Sequence, residues 1–397
     1  MGTVTIKRPT SDLMDALRGI SALVVAVVHA FQIFIIPYCG FWTYPHLLTS
    51  LLATYAIVAF FIVSGFMICI SVLRHRTYGG FNSIGFAKAR ILRIYPPLIA
   101  AILITIAVYL IISGFGLHGA VSYRLGGELD VVRENAKLEW SAIPTTFLLW
   151  YGVVPCLPFA PCLPGEFMPG PLIMDGPLWT LSYEWWLYIL AFLTARLWNG
   201  WRAAIPLALV ILMLIYGRNL LFYRFGAIWF SGFVLGLFYV YGSLFSAKAG
   251  RWILYAMAAL LVFAVVVIVG GSTQGRMLLD VLGRGQNLMV ITGLVLTLYT
   301  GLMIRRFEVT NICLPKLLTG TAAFSYTIYV IHYPLLMLSY SFLHPLIHGK
   351  SWVVAALAAF GATVLITFLA ERLSRIVENR SLLSRGFDDA VRRAGIA

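Results

Sequence analysis

The sequence predicts an all-α, polytopic integral membrane helical bundle of about ten transmembrane helices plus a short re-entrant or interfacial helix. Three observations predict it. Of the 397 residues, 61% are hydrophobic and 11% charged, where a soluble domain carries roughly a quarter charged. Apolar stretches close to the ~20 residues that cross a ~30 Å hydrocarbon core recur from end to end. The basic residues cluster briefly between those stretches rather than lining an aromatic-interleaved face, so the net charge of +14 does not point to nucleic acid.

Windows bounded by charges, Gly and Pro place spans at 13–36, 47–73, 91–113, 177–197, 203–217, 226–244, 252–270, 286–304, 321–341 and 352–373. Residues 1–12 are polar and the first span lacks a small-residue cleavage site, so the first helix is expected to be the targeting signal itself. The apolar piece 142–153, before the Pro/Gly/Cys-rich segment 155–177, is too short to span and reads as the re-entrant or interfacial helix. Residues 1–380 form one transmembrane domain, followed by a basic cytoplasmic tail at 381–397. With a cytoplasmic N-terminus, the outside keeps only Arg124, Arg133, Lys137, Arg218, Arg224, Arg276, Arg284 and Lys350 of the 29 Lys and Arg. The positive-inside rule then places both termini in the cytoplasm. The five cysteines show no zinc-type pairing with histidine, and no metal is expected. Cys69 reads as a buried thiol, while Cys156 and Cys162 flank an outside loop where a disulfide is left open.

A titratable group inside a span costs about 2.5–3.5 kcal/mol on insertion scales, so each needs a reason. His29 lies eleven residues past Arg18 and His332 eleven residues into its span, both spans starting inside, so both rings are expected roughly 16 Å deep. Glu184 enters its span from outside and should lie about 10 Å down. Each admits two readings: a hydrogen-bonded packing group, worth about 0.6–2 kcal/mol, or chemistry, for which a neutral imidazole is suited to take a proton from a hydroxyl. Glu184 leans toward packing. Arg90 and Arg93, three apart at the start of a span, share a helical face that suits phosphate. Basic residues at a cytoplasmic helix start are equally explained by topology alone.

Five motifs in order are similar to those of membrane-bound acyltransferase family 3. Leu13-Met-Asp15-Ala-Leu-Arg18-Gly19 followed by His29 resembles the family's opening helix, with Arg ten intervening residues before His. Phe60-Phe-Ile-Val-Ser64-Gly65-Phe66 resembles its second-helix signature, and Arg90-Ile-Leu-Arg93-Ile-Tyr-Pro96 its arginine pair. Gly176-Pro177-Leu-Trp179-Thr-Leu-Ser182-Tyr-Glu184 and Ser325-Tyr-Thr-Ile-Tyr329-Val-Ile-His332-Tyr-Pro334 resemble two later motifs. The resemblance implies an acyl-CoA-dependent O-acyltransferase of the bacterial inner (plasma) membrane, with acetyl-CoA as the default donor and co-substrate and no permanently bound cofactor. It implies a hydroxyl-bearing glycan acceptor such as a surface or exported polysaccharide. His29 is then catalytic with Arg18 in support, Arg90 and Arg93 bind the donor phosphates, and Trp179, Ser182, Glu184, Ser325, Tyr329 and His332 form or support the acceptor site. The doublet Trp185-Trp186 departs from the family pattern, where many members carry a second acid and a Gln after the Glu. The alternative is a transporter or exporter of a glycan or glycan-linked lipid, using the same buried groups for proton coupling.

Overall fold

The structure is a computed structural model that describes residues 4–40, 43–77, 80–125, 129–151, 173–215, 220–241, 275–379 and 381–385. In chain order the helices are α1 (Arg8–Phe34), α2 (Ile36–Cys39), α3 (Tyr44–Arg74), α4 (Ser83–Gly114), α5 (Ala142–Phe147), α6 (Trp179–Trp198), α7 (Ala204–Ile215), α8 (Leu220–Tyr241), α9 (Gly275–Thr310), α10 (Lys316–Thr319), α11 (Ser325–Ile347) and α12 (Trp352–Val377). Among the described residues, seven helices are long and apolar enough to cross a membrane: Arg8–Phe34, Tyr44–Arg74, Ser83–Gly114, Leu221–Tyr241, Leu288–Thr310, Ser325–Ile347 and Trp352–Arg385. The chain is an all-α, multi-pass membrane protein.

The other expected spans fare differently. Residues 177–197 become α6, whose Thr180, Ser182, Glu184 and Arg196 dilute its apolar character, and 203–217 become the 12-residue α7. The expected span 252–270, the Cys156 and Cys162 pair and most of the 381–397 tail lie outside the described residues. The short helix expected at 142–153 is α5. Between α4 and α5 the sequence suggested only a loop. There the backbone pairs as an antiparallel hairpin, Ala120–Leu125 with Leu129–Asn135, bulged between Val121 and Ser122.

The chain divides into two compact units, and the division cuts through α1, α3, α4 and α6. The first comprises Met1–Arg18, Ile57–Phe86 and Trp186–Thr319. Its core gathers Leu13, Met14, Val63, Phe66, Ile70, Leu235 and Ile304. Small residues let α3 and α8 touch backbone to backbone: a Cβ on Gly65 would meet Trp229 O at 2.0 Å, and one on Gly232 would meet Ile62 O at 2.2 Å. Membrane helices associate by such close packing because lipid tails remove the hydrophobic drive between them. Ser64 Oγ accepts from Trp229 Nε1 at 3.2 Å across the same contact. Phe60–Phe66 is thus a helix-contact motif. At one end of this unit Glu308 collects Lys7 Nζ (2.9 Å), Thr10 Oγ1 (2.6 Å) and Tyr239 OH (2.9 Å), tying the start of α1 to α8 and α9.

The second unit comprises Gly19–Ala56, Ala87–Trp185 and Gly320–Ala397. Its main cluster packs Ala30, Ile33 and Phe34 of α1 against Tyr333, Leu336 and Met337 of α11 and Ala355, Ala359 and Ala362 of α12. Gly19 permits α1 to pass the 3-10 turn Gly320–Ala323, since its Cβ would sit 1.9 Å from Thr321 Oγ1. The start of α11 has no side-chain cap of its own. Instead Glu378, just past α12, accepts from Thr327 N at 2.9 Å and from Thr327 Oγ1 at 2.5 Å. Thr327 supplies the third amide of the helix, the donor an N-cap side chain would satisfy. Tyr38 OH donates to Ile347 O at 2.6 Å at the other end. The helix is therefore pinned at both ends by residues from outside it. Glu378→Ala is expected to cost about 1–2 kcal/mol, read as a lower melting temperature of the purified protein; an unchanged melting temperature would remove this clamp.

Candidate functional site

The two intramembrane histidines meet in the second unit. His29 on α1 and His332 on α11 stack with ring centroids 5.3 Å apart and planes at 29°, and Tyr333 meets His29 edge-on at 5.2 Å. His332 is completely buried and His29 partly so. Local sequence sets both rings. Gln32, one turn along from His29, presents Oε1 to Nδ1 at 3.0 Å, and Ile328 O, one turn before His332, lies 3.0 Å from its Nδ1. Carbonyl oxygens only accept, so both Nδ1 atoms carry the proton and both Nε2 atoms keep a lone pair. The Nε2 of His332 is buried without a hydrogen-bond partner. Pro334, two residues on, deletes the amide that would reach Val330 O and loosens the helix beside the ring.

From this pair a chain of hydroxyls runs to the start of α6. Tyr329 lies one turn before His332, with ring centroids 6.0 Å apart. Its OH donates to Pro177 O at 3.0 Å and is 2.6 Å from Thr180 Oγ1. Glu184, 3% exposed, lies within electrostatic reach of the Tyr329 hydroxyl. Ser182 Oγ donates to Leu149 O at 2.7 Å. Leu149 stands at φ 56, a left-handed position that costs a side-chain-bearing residue about 1–2 kcal/mol. Tyr151 OH donates to Leu178 O. Ser182 and Tyr151 thereby latch the segment after α5 onto the start of α6. Trp179 packs edge-on against Tyr183 at 4.9 Å, and Ser325 Oγ turns back to Ala322 O at 2.9 Å.

Arg90 and Arg93 lie half-buried on α4, just before Pro96 and Pro97. The Arg93 guanidinium sits over the Tyr326 ring at 5.7 Å. Tyr326 is six positions before His332 on α11, about 9 Å along the axis. Tyr95 meets Trp185 edge-on at 5.5 Å, so the first residue of the unusual doublet packs directly on the arginine motif. Arg18 falls in the other unit, where its Nη2 bonds Asp15 Oδ1 at 3.2 Å.

One acid at this site escaped sequence reasoning. Asp175, in the 3-10 turn Ile173–Leu178 that lies against α11, is completely buried, and among the described residues neither of its carboxyl oxygens has a hydrogen-bond partner. Burial pushes its carboxyl well above the usual carboxylate range. Among the described residues, no group of three or more His, Cys, Asp or Glu is arranged to hold a metal ion.

A family model described as an acyltransferase domain matches residues 12–372, nearly the whole chain. No significant match is found among curated proteins or among solved structures.

Proposed function

The chain belongs to acyltransferase family 3, and on that premise we propose that it is an O-acyltransferase of the bacterial inner membrane. It carries an acyl group, acetyl by default, from cytoplasmic acyl-CoA to a hydroxyl of a surface or exported polysaccharide or other glycan. The observation that carries this reading is the stacked histidine pair, whose hydrogen bonds leave Nε2 of each ring unprotonated.

His29 Nε2 takes the proton from the acceptor hydroxyl as its oxygen adds to the thioester carbonyl. The tetrahedral adduct collapses with cleavage of the C–S bond, and the imidazolium returns its proton to the coenzyme A thiolate. An acyl-histidine formed first and then attacked by the hydroxyl is the covalent variant of the same chemistry. His332 has a lone pair but no proton at Nε2, so it accepts a hydrogen bond from a neighbouring hydroxyl of the acceptor and is unsuited to polarising the carbonyl. Arg90 and Arg93 engage the donor phosphates, where a guanidinium gives paired charge-assisted hydrogen bonds. With the N-terminus cytoplasmic, α4 begins on the donor side and the acceptor approaches the histidines from outside.

The direct test is binding of a non-hydrolysable acetyl-CoA analogue to purified protein, wild type against an Arg90→Ala, Arg93→Ala double variant of matched melting temperature. Saturable binding weakened by ~100-fold or more in the variant is expected, since each charge-assisted bond contributes about 1.5–3 kcal/mol. Folded wild type that binds no analogue would remove acyl-CoA as the donor.

A further inference from the structure

Burying a carboxyl group without a hydrogen bond costs free energy, and Asp175 has none at either oxygen. The two phenols within electrostatic reach of it, Tyr151 and Tyr329, are not turned toward it. Their hydroxyls donate instead to the carbonyls of Leu178 and Pro177, the very residues that follow Asp175 in its turn. These two phenols thus hold the turn, and among the described residues no donor meets the carboxyl.

We propose that Asp175 is an acceptor-binding residue that takes hydrogen bonds from two adjacent hydroxyls of a sugar-type polyol. The proposal rests on the acyl-transfer reading above and names the acceptor class of that same site. Two neighbouring acceptor oxygens match a vicinal diol, and Tyr329 links the position to the histidines, one turn from His332 and in reach of Asp175. A third hydroxyl on the same ring is then directed toward the Nε2 lone pairs. Asp175 itself departs from helical backbone angles, at φ −141 and ψ 54. A ligand therefore reaches it by displacing this short turn, and no spanning helix has to unravel.

The test uses the full chain, wild type and Asp175→Leu, with radiolabelled acetyl-CoA and two probe acceptors, methyl α-glucopyranoside and its 2-deoxy derivative. Two results are expected. The wild type favours the glucoside over the deoxy compound by ~10-fold, the scale of one hydrogen bond; Asp175→Leu brings that ratio close to one. The variant's melting temperature without ligand is equal to the wild type's or higher, because an apolar isostere removes an unmet polar group. A lower melting temperature would make Asp175 a structural group satisfied by water. Retained preference in the variant, or thioester consumption by wild type with neither glucoside acetylated, would overturn the polyol assignment alone. Wild type that neither consumes thioester nor acetylates either probe would overturn the acyl-transfer reading and this inference with it.

Discussion

Turnover by His29→Ala is expected to fall by about 10²–10⁴-fold, the worth of a positioned general base, with the melting temperature little changed. The ring is only partly buried, and its removal strands no charge. The effect should appear in kcat, because the proton moves only as the hydroxyl attacks. His332→Ala is the instructive comparison. Its ring is wholly enclosed and, among the described residues, bonds its own helix, so its loss opens a cavity and lowers stability, and it weakens acceptor binding more than the chemical step. Initial rates against both substrates separate the two. Full activity in His29→Ala would end the assignment, and a kcat collapse confined to His332→Ala would exchange the two roles.

The second large effect touches no residue given a chemical role. Gly65→Ala combined with Gly232→Ala places methyl groups 2.0 Å and 2.2 Å from backbone oxygens of the facing helix. Backbone cannot rotate away as a side chain can, so α3 and α8 must part by at least an ångström, breaking the Trp229 to Ser64 hydrogen bond between them. Overpacking of one site costs about 1–3 kcal/mol, and two coupled sites should exceed the upper figure. The expected readout is protein that inserts but aggregates on solubilisation. Gly361→Ala, where nothing lies within 4 Å of the added methyl, is the control and should be neutral or stabilising by about 1 kcal/mol. A double variant that melts with the wild type would mean that the helices do not touch here.

Counting eleven residues from Arg18 and from the expected start of the ninth span put His29 and His332 at one expected depth, because rise per residue converts sequence into distance along a helix; the two rings do stack. The hydrogen bonds that set their tautomers were not readable, since they depend on which way each ring turns. Asp175 was overlooked for a related reason: an acid beside Gly and Pro reads as a solvated loop residue, and only the folded latch of Tyr151 and Tyr329 encloses it. The Ala120–Leu125 hairpin gave too few alternating residues to be seen. The contact of Glu378 with Thr327 joins residues 51 apart, which no local pattern signals. Local pattern carried the spans and missed the long-range clamps.

That clamp has a consequence for how the protein is made. Glu378 follows the last described span, yet it secures the first turn of the helix that carries Tyr329 and His332. During synthesis both histidines are made before Glu378. Until α12 is inserted, the first turn of α11 has an unmet amide where Thr327 begins to wind, and it is free to fray. The site therefore matures only after α12 is in place, so a chain arrested earlier holds its histidines without the geometry to use them.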